Sequence, residues 1–60
     1  MSEKVLLVDD EKEFLEIMAE RMTARGMEVT TADSASKALS ILETLAFDAI
    51  VMDFQMPDMD

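Results

Sequence analysis

The sequence contains no cysteine and no histidine, and among its 60 residues it has one glycine, one proline and neither tryptophan nor tyrosine. The missing cysteine and histidine exclude disulfides and the usual zinc sites as supports for a small fold. A chain of this length buries only about 60% of the surface that its unfolded form exposes, so its core alone is marginal. An oligomer, an oxygen-ligated cation or a further part of the domain remains as the additional support.

Positive charge is also scarce, with five basic side chains against fourteen acidic ones and a formal net charge of -9. Nucleic-acid binding depends on lysine and arginine that neutralise phosphates, so neither nucleic acid nor an anionic membrane surface is an expected partner. No stretch approaches the roughly 20 apolar residues of a membrane span, and no signal peptide is visible at residues 1–4. We therefore expect a folded cytoplasmic protein.

Three short apolar runs alternate with two helical patterns. The continuous run Val5–Val8 is typical of a strand covered on both faces, and the third run is expected to be covered on both faces as well. The patterns predict strands over about 4–8, 27–32 and 48–53, and helices over about 11–25 and 35–45. This β-α-β-α-β order predicts an α/β fold with a parallel sheet. The second strand is the least apolar and is placed at an edge, which gives the strand order 2-1-3.

Residues near the helix ends indicate how each helix begins and ends. Asp10 is a candidate cap for the first helix, with Glu13 three residues later as in a capping box. Gly26 stands where a left-handed C-terminal cap is needed. Asp33 and Ser34 are alternative caps for the second helix.

The spacing of apolar residues also predicts which helical positions are buried. On the second helix one face is expected to face the core, comprising Ala38, Leu39, Leu42 and Leu45. The methionines, notably Met18, Met22 and Met52, are interpreted as gap-filling core residues rather than as a binding surface.

Aspartates follow two of the predicted strands. Asp9 and Asp10 come after the first strand, and Asp53 ends the third. In the order 2-1-3 the chain reverses direction across the sheet, and ligands of open α/β sheets bind in the crevice at that reversal. Two adjacent carboxylates cost free energy unless a cation or a proton offsets them. The alternative reading is structural: Asp10 only caps a helix, and Asp53 is only a solvated strand end.

The chemistry of this acid pocket favours Mg²⁺ and phosphoryl transfer. Mg²⁺ prefers oxygen ligands and typically takes one or two carboxylates together with phosphate oxygens and water. Aspartate is a nucleophile that forms an acyl phosphate. A metal-dependent hydrolase is disfavoured because no general base or oxyanion donor can be identified, so we do not expect an enzyme.

Two motifs resemble the receiver domain of two-component response regulators: "VLLVDDE" at Val5–Glu11 and "DAIVMDFQMPDMD" at Asp48–Asp60. The resemblance implies a flavodoxin-like fold, truncated to its N-terminal half. It implies that Asp53 is the phosphorylation site, that Asp10 binds Mg²⁺ directly and Asp9 through water, and that the backbone carbonyl of Gln55 completes the protein ligands. The implied phosphoryl donor is the phosphohistidine of a sensor histidine kinase.

The resemblance also implies parts that these 60 residues lack, namely a fourth strand with a serine or threonine and a fifth with a lysine. Lys4, Lys12 and Lys37 do not match that lysine. The third strand would then have an unpaired apolar edge, which is a template for pairing with another chain. We expect a homodimer through this edge, or through uncovered sheet faces or an exchanged element. An alternative function is a self-associating structural module with a vestigial acid pocket.

Overall fold

The computed structural model describes residues 2–52 of the chain. Its elements are β1 (Lys4–Val8), α1 (Lys12–Ala24), β2 (Glu28–Ala32), α2 (Ala35–Leu42) and β3 (Ala49–Met52). The three strands pair in parallel in the order β2-β1-β3. The predicted α/β fold and the strand order 2-1-3 are thereby confirmed.

The central strand β1 carries most of the core. Its four apolar residues, Val5–Val8, are all buried, as predicted for a strand covered on both faces. Leu6 and Val8 form a buried cluster with Ala32 of β2 and Ala38 of α2. Val5 and Leu7 alternate to the other face of the sheet. The core is therefore built around β1 and does not extend far beyond it.

Two predicted helix ends are confirmed. Gly26 has a φ of 92° and its amide donates to the carbonyl of Thr23 at 2.9 Å, so it forms the left-handed turn after α1. A side chain with a Cβ is strained in this region of backbone space. At the start of α2 the cap is Ser34, whose Oγ accepts a hydrogen bond from the Lys37 amide at 3.1 Å. Of the two alternatives, Ser34 rather than Asp33 caps the helix.

The predicted capping box at α1 is wrong. The residue in the N-cap position is Glu11, and no side chain caps the helix from it. A hydrogen bond instead closes the turn that precedes the helix: Asp9 Oδ1 accepts from the Glu11 amide at 2.9 Å. Asp10 is exposed and does not form the capping interaction that its spacing to Glu13 predicted.

The second helix is shorter than predicted and ends at Leu42 instead of residue 45. Three hydrogen bonds to the carbonyl of Ile41 mark the end of the helix. That carbonyl accepts from the Thr44 amide at 3.1 Å, from the Leu45 amide at 2.9 Å and from the Thr44 hydroxyl at 3.3 Å. These bonds satisfy a carbonyl at the helix end, and the chain leaves the helix there.

The bounds of β1 are as predicted, and the starts of β2 and β3 and both ends of α1 differ from the prediction by one residue. Met27 belongs to the turn before β2, since its amide donates to the carbonyl of Met22 at 3.2 Å. Asp48 lies just before β3, and its amide donates to the carbonyl of Lys4 at 2.7 Å. Its carboxylate accepts from the Lys4 amide at 2.8 Å. The predicted end of the third strand at Asp53 lies outside the described residues.

Several apolar residues that were predicted to be buried are exposed. Leu39 is 65% exposed, and Leu42 and Leu45 are also exposed, though by a smaller fraction of their surface. On β3, Ile50 and Val51 are about half exposed, contrary to a strand covered on both faces. The physical reason is that, in residues 2–52, both helices pack on β1 and β2 and neither packs on β3. Neither helix of this part of the chain has the length and apolar character to cross a membrane.

The Ser34 cap gives a direct test of the α2 start. Ser34→Ala removes the hydroxyl that accepts the Lys37 amide, and it is expected to lower the free energy of unfolding by about 1 kcal/mol. Urea unfolding followed by circular dichroism measures this. Ser36→Ala makes the same chemical change at an exposed position in the first turn of the same helix, and it is expected to leave stability unchanged or slightly raised. Equal losses in both variants would contradict the assignment of the cap.

Candidate functional site

The acid pair lies at the carboxyl end of β1. The Asp9 amide donates to the carbonyl of Ala32 at 3.1 Å, which extends the β1–β2 pairing by one residue. Asp9 is half-buried and Asp10 is exposed. One oxygen of Asp9 is engaged by the Glu11 amide. The other oxygen of Asp9 and both oxygens of Asp10 therefore remain free of partners within residues 2–52.

The last residues of the three strands lie in register at this edge of the sheet. Val8 is paired with Ala32 on one side and with Met52 on the other. Met52 is the residue directly before Asp53 in the sequence. Asp53 and Gln55, which the sequence also predicts as site residues, lie outside the described residues, and their roles stay predictions.

The acidic side chains at this edge supply some, but not all, of the oxygen ligands that Mg²⁺ requires. Within residues 2–52 no group of three or more histidine, cysteine or acidic side chains is placed to hold a metal ion. Mg²⁺, however, commonly takes only one or two carboxylates and completes its octahedron with water and phosphate oxygens. Asp9 and Asp10 supply two adjacent carboxylates of this kind, so the residues present fit the ion.

A third carboxylate, Asp33, follows the end of β2, the strand next to β1, and was interpreted from the sequence only as a helix cap. It follows Ala32, just as Asp9 follows the paired residue Val8. Its Oδ1 lies 3.0 Å from Lys37 Nζ, and its Oδ2 lies 3.8 Å from Lys12 Nζ. The spacing of Asp33 to Lys37 is four residues along the chain, which sequence alone could have indicated. The contact with Lys12 depends on the fold.

These lysines change the ionisation of Asp33. The hydrogen bond from Lys37 is the main cause that lowers the pKa of the Asp33 carboxyl below its ordinary value. The positive charges of Lys37 and Lys12 act in the same direction, while partial desolvation opposes them. The Asp33 carboxyl is therefore ionised at neutral pH.

An open groove of about 590 Å³ runs beside this ion-pair network. It lies between α1, the end of β2 and α2, with Lys12, Asp33 and Lys37 along it and Leu15 and Ile41 among its apolar lining. Neither Asp9 nor Asp10 lines the groove. The acid pair and the groove are thus separate features, and the Lys12–Asp33 contact lies on the groove.

Comparison with known proteins establishes the family. The family model for the response regulator receiver domain matches residues 5–60. The chain belongs to this receiver family. The resemblance of its two motifs is thereby confirmed.

Curated relatives of this receiver sequence include response regulators and histidine kinases. The response regulator protein FleR of Pseudomonas aeruginosa is 38% identical over the whole chain, which spans 13% of FleR. The regulatory protein VanRc of Enterococcus gallinarum is 35% identical, and the chain spans 26% of it. Histidine kinase 3 of Arabidopsis thaliana is 41% identical, and the chain spans 6% of it. No solved structure matches the chain significantly.

The lowered pKa of Asp33 predicts a pH dependence of stability. A carboxyl with a depressed pKa in the folded state stabilises the fold above its unfolded-state pKa, about 3.9, and loses this contribution as pH falls through the folded-state value. Wild type is therefore expected to be more stable than Asp33→Asn at neutral pH, with the difference vanishing in acid. Urea unfolding between pH 7 and pH 3 measures the difference.

Glu20→Gln is the matched control for this prediction. Glu20 is exposed on α1, and its carboxylate has no hydrogen bond or ion pair within the described part of the chain. Its difference from wild type is expected to be small at every pH. A pH-independent difference for Asp33→Asn would show that the side chain contributes by packing and not by its charge.

Proposed function

We propose that this receiver accepts a phosphoryl group on Asp53 from the phosphohistidine of a sensor histidine kinase, with Mg²⁺ held by Asp9, Asp10, Asp53 and the backbone carbonyl of Gln55. The observation that carries the proposal is the acid pair at the carboxyl end of β1, next to the strand that leads into Asp53. The pairing of Val8 with Met52 supports a short separation between the acid pair and Asp53. Membership of the receiver family supports the same chemistry.

The transfer step is a displacement at phosphorus. A carboxylate oxygen of Asp53 attacks the phosphorus, the P–N bond of phosphohistidine breaks, and its electron pair leaves with the imidazole nitrogen. The product is an acyl phosphate. Bound Mg²⁺ would neutralise negative charge on the phosphoryl oxygens, and the protein's remaining contribution is positioning.

The described residues supply part of that positioning. The hydrogen bond from the Glu11 amide orients the Asp9 carboxylate, and the bond from the Asp9 amide to Ala32 anchors its backbone to β2. The acid pair is thus attached to the buried central strand and not to a free loop. Sites carried on rigid elements hold their geometry better than sites on loops.

Phosphorylation tests the proposal directly. Incubation with phosphoramidate, whose P–N bond has the chemistry of phosphohistidine, is expected to add one phosphoryl group in the presence of Mg²⁺. Intact mass spectrometry measures the addition, and cleavage by hydroxylamine identifies an acyl phosphate. Asp53→Asn is expected to abolish the addition, while Asp58→Asn, a change of the same kind five residues later, is expected to preserve it. Modification that persists in Asp53→Asn or without Mg²⁺ would contradict the proposal.

A second candidate function is self-association, and the exposed side of β3 favours it. Within residues 2–52, β3 pairs only with β1, and Ile50 and Val51 remain half exposed. A polypeptide of these 60 residues can satisfy that edge by pairing with the β3 edge of a second copy across a two-fold axis. The net charge of -9 on each copy opposes this pairing, and salt screens the repulsion.

Sedimentation equilibrium of the 60-residue polypeptide tests this candidate. A dimer is expected, and it should tighten as ionic strength rises. Ile50→Lys places a charge on β3 and is expected to give a monomer. Leu39→Lys adds the same charge at an exposed position of α2 and is expected to leave the dimer intact. A folded monomer at all concentrations and salt levels would rule the dimer out.

A further inference from the structure

Asp33 connects α1, the end of β2 and the start of α2 through its two carboxylate oxygens. Oδ1 contacts Lys37 in α2, and Oδ2 contacts Lys12, the first residue of α1. The two lysine side chains are 66% and 79% exposed, whereas the Asp33 side chain is only 23% exposed. The carboxylate is therefore the better-fixed member of each pair, and the ammonium groups are the members free to move.

Lys12 is close in sequence to a second set of acceptors, the carboxylates of Asp9 and Asp10. It follows Asp10 by two residues and is the basic residue nearest to the acid pair in the sequence. The hydrogen bond from the Asp9 amide to Ala32 places the ends of β1 and β2 side by side. An ammonium group that moved from Asp33 to Asp9 or Asp10 would offset the negative charge that attracts a cation.

We propose that Asp33 is a positioning residue that holds Lys12 away from Asp9 and Asp10, so that the acid pair stays open to a divalent cation. The proposal rests on the Mg²⁺ site of the proposed function and adds a residue to it. Lys37 occupies Oδ1 at the shorter distance, which leaves Oδ2 for Lys12. The pairs are exposed and weak, so loss of Asp33 is expected to weaken Mg²⁺ binding by about two- to fivefold.

A double-mutant cycle separates this role from a simple loss of negative charge. The dissociation constant for Mg²⁺ is measured by titration calorimetry for the parent chain, Lys12→Gln and Lys37→Gln, each with and without Asp33→Asn. An ionic strength of about 0.15 M limits the range of exposed charges to about 8 Å. Lys37→Gln is the matched control, because it removes the same charge from the other oxygen of the same carboxylate.

Asp33→Asn is expected to weaken binding in the parent and in Lys37→Gln, and to have no effect in Lys12→Gln, where the lysine next to the acid pair in the sequence is absent. An equal loss in all three backgrounds would show that Asp33 acts through its charge alone, and no loss in any would show that it does not restrain Lys12. Either result overturns the inference while leaving the Mg²⁺ site intact. Absence of Mg²⁺ binding by the folded parent chain contradicts the proposed function, and the inference with it.

A metal-free measurement provides an independent check. In the Asp33→Asn variant, the NMR signal of the Lys12 ammonium group is expected to shift when Asp9→Asn or Asp10→Asn is added. In the chain that retains Asp33, the same additions are expected to have little effect. An ammonium signal that ignores the acid pair in both backgrounds overturns the inference. Circular dichroism of each variant verifies that the fold is retained.

Discussion

The parallel pairing of β1 with a strand on each side is the constraint on which the rest of this structure depends. Because β1 is hydrogen-bonded on both edges and covered on both faces, its residues Val5–Val8 are buried. This arrangement sets where the chain must leave the sheet, and it leaves at Asp9. The polar residues at the strand end are therefore anchored to the best-packed part of the molecule, while the apolar residues farther from β1 are less well covered.

The matched strand ends concentrate charge at one edge. Val8 is in register with both Ala32 and Met52, so the residues that follow β1 and β2 are Asp9 and Asp33 on neighbouring strands. The two carboxylates have different partners. Asp33 is neutralised by lysines, whereas Asp9 accepts only a backbone amide within residues 2–52. One strand end is thus electrostatically satisfied, and the other retains negative charge that a cation can offset.

Sequence reasoning succeeded where local patterns coincide with the fold and failed where tertiary contacts decide. The run Val5–Val8, the left-handed Gly26 and the Ser34 cap follow from local chemistry, and with the order of elements they predict the α/β sheet.

The predicted burial of Leu39 and Ile50 was wrong, because apolar spacing indicates which face is apolar and not whether anything covers it. The capping role of Asp10 was wrong, because Asp9 competes for the same turn. The Lys12–Asp33 contact joins residues that are distant in sequence, so no local pattern reveals it.

The proposed cation-binding edge of this receiver is the carboxyl end of β1, and paramagnetic relaxation tests this proposal most directly. Mn²⁺ is titrated into the isotope-labelled chain in place of Mg²⁺, and the broadening of each backbone amide signal is recorded. We predict that the amides of Asp9 and Asp10 broaden first, together with those next to Met52, and that excess Mg²⁺ reverses the effect. Broadening spread evenly over the acidic residues, or centred on the exposed acidic face of α1, would contradict the account.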